Sequence, residues 1–125
     1  MDYASITIEK SNEGYRVVQT ICTKAEKGST EEAVASAPVS ATALFFRVTV
    51  RPENESEIVP KVLCSFSYSL DGKRFTTLGK EFVAREGQWV GARVGVFTLA
   101  GAKTNRLGFT DFDWFRIEPV GPEKQ

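Results

Sequence analysis

The sequence predicts an all-β fold, an antiparallel β-sandwich, on three observations. Short segments of alternating apolar and polar residues recur along the chain, as in strands that bury one face. Turn residues separate these segments at roughly 8–12 residue intervals, the spacing of antiparallel sandwiches. No segment gives a convincing helix pattern. A chain of 125 residues is long enough for one domain, which we assign to residues 1–118, with 119–125 as a tail.

The first half of the chain predicts four strands, at residues 3–9, 15–23, 31–39 and 44–51. Asn12 and Gly14 favour a turn between the first two strands, because both residue types tolerate positive φ. The third segment is rich in alanine, but Pro38 argues against a helix, so we predict a short edge strand or an extended segment. The fourth strand places its apolar side chains on one face: Leu44, Phe46, Val48 and Val50.

The second half predicts four more extended segments, at residues 61–70, 74–83, 93–99 and 108–117. Asp71-Gly72 is the strongest hairpin signal in the chain and lies between the first two of them. Gly79 allows a bend or bulge within the second. In the last segment, Phe112 and Trp114 should face inward.

Composition excludes several classes of function. Sixteen basic residues balance sixteen acidic ones, so net charge favours neither a nucleic acid nor an anionic membrane as partner. The chain has no histidine, which removes Ser-His-Asp and Cys-His nucleophilic sites and the common zinc sites. No apolar run approaches the ~20 residues of a membrane span, and the first residues lack the pattern of a signal peptide.

Two cysteines, Cys22 and Cys64, are the only ones in the chain and form no Cys-x-x-Cys motif. Cys64 lies on the inward phase of its strand, which favours a buried thiol. A disulfide between the two remains open, because the sequence does not give the distance between them.

Asp111 and Asp113 lie two residues apart on one predicted strand, so their side chains share a face. This face is either simply polar surface or a weak calcium site, since Asp oxygens suit a hard cation. A glycosidase acid and base are disfavoured, because those carboxylates oppose each other across the sugar from separate elements.

Trp89 lies in a loop between Gly87 and Gly91, and it is the main candidate for a functional contact. A loop aromatic on a sandwich either stacks on a sugar ring or packs under the loop as a plug. Arg85 and Arg93 flank this loop and are the accompanying binding candidates.

Two segments resemble the C-terminal concanavalin A-like β-sandwich of glycoside hydrolase family 43. The first is Phe-Ser-Tyr-Ser-Leu-Asp-Gly-Lys at residues 66–73, followed by Phe75 and Gly79. The second is Gly-Gln-Trp-Val-Gly-Ala-Arg-Val-Gly-Val-Phe at residues 87–97, with the ending Asp-Phe-Asp-Trp-Phe at 111–115. The resemblance implies a jelly roll from β-xylosidases and α-arabinofuranosidases, which act on plant hemicellulose, including xylan, and on arabinan.

The family's catalytic carboxylates lie in a five-bladed propeller, and nothing in this chain resembles one. The resemblance therefore implies an accessory domain, without catalysis of its own, that docks on the propeller of a parent hydrolase. Trp89 would lie at the rim of a pocket for a hemicellulose-derived saccharide. There are two alternatives: a free carbohydrate-binding module that uses Trp89, and a purely structural sandwich.

The resemblance also implies that this chain is the later part of a longer sandwich. An incomplete sandwich would expose an apolar face, so we expect self-association or strand exchange. The family may hold structural calcium, for which Asp111 and Asp113 are weak candidates. Localisation stays open, and would be periplasmic or extracellular if the parent enzyme is secreted.

Overall fold

The computed structural model describes residues 1–40, 43–53, 61–84, 93–99 and 110–120. They divide into two compact units, Met1–Ala92 and Arg93–Gln125. All described strands belong to the first unit, where they form two antiparallel sheets. This nearly all-β architecture confirms the predicted fold class.

The first sheet contains three strands in the order β1-β2-β3. They are β1 (Tyr3–Ser11), β2 (Gly14–Cys22) and β3 (Glu32–Val39). The predicted turn at Asn12 joins β1 and β2 in a hairpin, in which Ser11 pairs with Gly14. A single 3₁₀ turn, Ala25–Lys27, precedes β3, which is the predicted edge strand. No helix among the described residues is long and apolar enough to cross a membrane.

The second sheet is built around β5 (Val62–Ser69). Its other strands are β4 (Phe45–Pro52), β6 (Thr76–Thr77) and β7 (Phe82–Ala84). β4 pairs with β5 along its whole length, whereas β6 and β7 both pair with the opposite edge of β5. The predicted extended segment 74–83 is thus two short strands, separated by a turn at Gly79, which has φ of +74°.

The buried apolar residues come mainly from β2 and β5, the central strands of the two sheets. They are Val17, Val18, Cys22, Cys64, Phe66 and Leu78. Both cysteines are free thiols, so the disulfide that the sequence left open is not formed. Burial raises the pKa of the Cys64 thiol, which agrees with the predicted role as a small apolar core residue.

The prediction of strands at 93–99 and 108–117 is wrong wherever the structure describes these residues. Residues 93–99 and 110–117 have no strand pairing, and residues 108 and 109 lie outside the described ranges. Phe112 and Trp114, predicted to face inward, are 49% and 52% exposed. Alternation shows only that a segment suits a half-buried sheet, whereas a strand also requires a hydrogen-bonded neighbour.

Candidate functional site

The predicted Trp89 site lies mostly outside the described residues. Trp89 and Arg85 fall within 85–92, of which the structure gives no account, and their roles stay predictions. Arg93 is described, and it is an exposed residue at the start of the second unit. Whether the three candidates lie together therefore stays a prediction, but the structure does describe the chain up to Ala84, just before them.

This chain is anchored by the ladder between β7 and β5. Ala84, the last described residue before the loop, pairs with Val62, and Phe82 pairs with Cys64. Strand pairing on three successive residues fixes both the direction and the register of the chain at that point. The chain is therefore fixed in the sheet as far as Ala84.

A second anchor connects the two sheets just before β7. Gln19, on β2, is fully buried, and its Nε2 donates a hydrogen bond to the Lys80 carbonyl oxygen at 2.6 Å. The Lys80 N–H donates in return to Gln19 Oε1 at 2.9 Å. This Gln19–Lys80 pair gives both polar atoms of the buried amide a hydrogen-bond partner, which a polar group in a core requires.

Gly79 makes room for the Gln19–Lys80 pair. A Cβ atom at this position would lie only 1.7 Å from Gln19 Oε1 and 3.1 Å from the Cβ of Ala35 on β3. The positive φ of Gly79 is also unfavourable for any residue with a side chain. Glycine is therefore required here for two independent reasons, of which the sequence indicated only the bend.

The Asp71-Gly72 hairpin is confirmed, but its connection is wider than a two-residue turn, since the last pair is Tyr68 with Thr76. The Ser69 hydroxyl accepts from the N–H of Asp71 and of Gly72, at 3.2 and 2.8 Å. It also donates to Asp71 Oδ1 at 2.9 Å.

The Asp71 carboxylate completes the connection on its other side. Its Oδ1 accepts from the N–H groups of Lys73 and Arg74, at 2.8 and 2.9 Å. The N–H of Arg74, then that of Lys73 and the Ser69 hydroxyl, lower the pKa of Asp71. Asp71 therefore serves as an internal hydrogen-bond acceptor, which is a structural role.

The aromatic residues around this turn pack against the turn itself. A Cβ on Gly72 would lie 3.1 Å from the Phe45 ring, so that ring closes the underside of the turn. The Arg47 guanidinium lies 3.7 Å from the centroid of Phe75, a cation–π contact on half-buried Phe75. These contacts indicate packing and do not leave an open aromatic platform.

Asp111 and Asp113 are both exposed. Within the described ranges, no group of three His, Cys, Asp or Glu side chains could hold a metal ion. The calcium expectation therefore gains no support and stays a prediction. Their neighbour Trp114 is covered on one side by Arg116, 4.3 Å from the ring centroid, and Arg116 also pairs with Glu118 at 3.6 Å.

One concave site was not predicted from the sequence. It is a groove of about 550 Å³ where the β1–β2 turn meets the end of β3. Its lining residues are Glu13, Gly14, Tyr15, Pro38, Val39 and Ser40. We refer to it as the Tyr15 groove. The lining segments are 25 residues apart in sequence and meet because Tyr15 pairs with Val39, a register that local patterns do not give.

Comparison with known proteins agrees with this architecture. Residues 1–118 match the family model of the β-xylosidase C-terminal concanavalin A-like domain. A β-xylosidase of Formosa agariphila is 36% identical over 58 residues, which is 46% of this chain and 10% of that enzyme. No solved structure matches the chain significantly. Because this match extends over nearly the whole chain, the chain belongs to the β-xylosidase C-terminal concanavalin A-like domain family of glycoside hydrolase family 43.

Proposed function

We propose that this domain is a non-catalytic accessory domain, which docks on the catalytic domain of a glycoside hydrolase and helps to shape its sugar pocket. The family match over residues 1–118 is the observation that carries the proposal. The chain aligns with only a tenth of the length of its β-xylosidase relative, which agrees with an accessory part of a larger enzyme. The substrate would be a saccharide derived from hemicellulose.

The acidic residues that stand out in this chain are not arranged as a glycosidase acid and base. Glycosidases use two carboxyl groups that oppose each other across the scissile bond, about 5–9.5 Å apart. Asp111 and Asp113, the pair that the sequence singles out, are exposed on one short segment without strand pairing. The carboxylate of Asp71 already accepts hydrogen bonds from three groups of its own turn.

Trp89 is the residue through which we expect the domain to contact the sugar pocket. The described chain before it is fixed twice, by the Gln19–Lys80 pair and by the β7–β5 ladder. A loop that starts from a fixed strand end can present one side chain to a neighbouring domain with little loss of entropy. Arg85 and Arg93, on either side of Trp89, are the accompanying polar candidates.

Kinetics of the complete parent enzyme test the proposal. Trp89→Ala should lower kcat/KM for nitrophenyl β-xyloside about tenfold or more, mainly through KM, because a stacked aromatic contributes to binding. Trp114→Ala is the matched control, since it removes the same side chain from a largely exposed position. Equal kinetics for Trp89→Ala and the unmodified enzyme would contradict the role of Trp89.

The isolated domain gives two further outcomes. Hydrolysis of nitrophenyl xyloside by the pure domain would overturn its assignment as non-catalytic. Failure of the separately produced catalytic domain to bind this domain would refute docking. Saccharide binding by the isolated domain that Trp89→Ala abolishes would instead identify a carbohydrate-binding module.

A further inference from the structure

The Tyr15 groove has a fixed frame. The Ser11 hydroxyl accepts a hydrogen bond from the N–H of Glu13 at 3.3 Å and donates one to the carbonyl of Gly14 at 3.2 Å. Gly14 has φ of +124°, a conformation that favours glycine. On the other side, Tyr15 pairs with both Lys10 and Val39, so strand ladders hold it from two directions. The backbone of the groove is therefore set before any ligand arrives.

Polar side chains in the groove have no hydrogen-bond partner among the described residues. They are the carboxylate of Glu13, the hydroxyl of Tyr15 and the hydroxyl of Ser40. The Glu13 backbone is held by Ser11, which leaves its carboxylate free to accept hydrogen bonds from a ligand. These groups lie beside apolar surface from Tyr15 and Val39, which are paired across the two strands and share a face of the sheet.

This mixture of surfaces defines the chemistry of a ligand. A flat apolar surface suits the C–H face of a ring, while a free carboxylate and hydroxyls suit ligand hydroxyl groups. The single acidic side chain disfavours an anionic ligand. A volume of about 550 Å³ lies within the range of about 300–1,000 Å³ for small-molecule sites. A neutral polyhydroxylated ring meets all of these conditions.

We propose that the Tyr15 groove binds a neutral saccharide, with the ring of Tyr15 against a sugar ring and Glu13 accepting hydrogen bonds from its hydroxyls. The choice of a saccharide among neutral polyols rests on the proposed function. The residues that line the groove all belong to the first sheet or its adjoining turns, and Trp89 is not among them. It would give the domain its own point of attachment to a polysaccharide chain.

A titration of the whole chain with xylotetraose, followed by ¹H–¹⁵N NMR, tests this proposal. We expect saturable shifts of the amide signals of Glu13, Gly14, Tyr15 and Val39, with weak affinity because the groove is open. Glu13→Ala should weaken binding about fivefold, the effect of one lost hydrogen bond. Glu32→Ala is the matched control, because Glu32 is also exposed but lies at the opposite end of β3, paired with Ile21.

Tyr15 provides a second pair of variants. Tyr15→Ala should weaken binding about tenfold or more, whereas Tyr15→Phe keeps the ring and should lose only the contribution of the hydroxyl. If Tyr15→Ala fails to fold, Tyr15→Phe and Glu13→Ala still decide the question, since neither removes a buried group.

The absence of saturable shifts in the groove would overturn the proposal, as would equal effects of Glu13→Ala and Glu32→Ala. Binding that Trp89→Ala abolishes and Glu13→Ala leaves unchanged would also overturn it, and would assign the saccharide to the loop of Trp89. Loss of docking on a catalytic domain is a separate measurement, so failure of the proposed function and failure of this inference are distinguishable.

Discussion

Substitution of Gly79 by alanine tests how the two sheets are joined. The added Cβ would lie 1.7 Å from Gln19 Oε1 and 2.7 Å from its Cδ, distances that no packed structure tolerates. Gln19 is fully buried, so its amide cannot move away without giving up both hydrogen bonds to Lys80. Alternatively, residues 78–80 must shift, which breaks the same hydrogen bonds.

The cost has two separate parts. A left-handed conformation costs an alanine about 1 kcal/mol relative to glycine. Loss of the two hydrogen bonds, which leaves the part-buried backbone groups of Lys80 unpaired, costs about 1–2 kcal/mol for each bond, or about 2–4 kcal/mol together. We therefore expect Gly79→Ala to lower the free energy of unfolding by about 3–5 kcal/mol, a large share of the about 5–15 kcal/mol of a typical domain.

Urea denaturation followed by far-UV circular dichroism measures this loss, and Gly28→Ala is the matched control. Gly28 has φ of +81°, close to the +74° of Gly79, but nothing lies within 4 Å of its added Cβ. Gly28→Ala should therefore cost only the conformational part, about 1 kcal/mol. If Gly79→Ala costs no more than Gly28→Ala, the steric argument is refuted.

A double variant separates the clash from other effects. In a Gln19→Ala background the amide is gone, and of the three atoms nearest to the added Cβ at position 79 only the Cβ of Ala35, at 3.1 Å, remains. Gly79→Ala should then cost about 1–2 kcal/mol, and the two substitutions should be non-additive by about 2–3 kcal/mol. Additive costs would show that Gln19 and Gly79 do not interact as the structure indicates.

Three further predictions concern the turn and β4. Ser69→Ala removes a buried hydroxyl from the turn and should lower the free energy of unfolding by about 1–2 kcal/mol in urea; an unchanged midpoint would contradict its role. Hydrogen bonds lower the pKa of Asp71, so its carboxylate stabilises the fold at pH values above 3.8, the ordinary pKa of the group. This contribution is lost as the pH falls through the lower pKa of the folded state. Thermal melts of Asp71→Asn should therefore approach those of the unmodified chain in acid, and a constant difference would count against this linkage. Finally, the exposed apolar face of β4 should drive self-association that increases with concentration, as measured by light scattering. Phe46→Lys should weaken this association about tenfold, whereas Ser36→Lys should leave it unchanged. A monomer at high concentration would refute the prediction. That face carries Phe46, Val48 and Val50, which are 38%, 36% and 42% exposed.

Strands whose partners follow directly in sequence were predictable. Asn12 and Gly14 gave the β1–β2 hairpin, and Asp71 with Gly72 gave the connection from β5 to β6. In both places, turn chemistry and strand alternation act over a few residues, which local patterns capture. The greater width of the second connection follows from the Ser69 hydroxyl, whose capture of two backbone N–H groups lies beyond a simple turn pattern.

The Gln19–Lys80 pair could not be predicted, although Gln19 is the largest fully buried side chain that the structure describes. A glutamine within a strand ordinarily indicates an exposed position, because burial of an amide is costly without partners. Here the partners are backbone groups 61 residues away. Because every residue carries such backbone groups, the sequence does not mark Lys80 as the partner. Only the glycine beside Lys80 gave a local sign, and it indicated a bend.

The Tyr15 groove could not be predicted from the sequence, whereas Trp89 could be singled out but its surroundings could not. The groove depends on the pairing of β2 with β3, whose register also shifts between Gln19 and Thr20. Trp89 stood out because a tryptophan between glycines is unusual in any local pattern, yet its surroundings depend on how residues 85–92 continue from Ala84.

The Gln19–Lys80 pair links the stability of the fold to the proposed site. The first sheet contributes Gln19, the second contributes β7, and Lys80 lies between them, four residues before Ala84. The hydrogen bonds that join the sheets therefore also fix the strand from which residues 85–92 continue. A buried amide is a costly way to join two sheets, since apolar contacts would serve without the risk of an unpaired polar group. Unlike apolar contacts, however, two directional hydrogen bonds set the position of one backbone segment, as the proposed role of Trp89 requires of the strand before it.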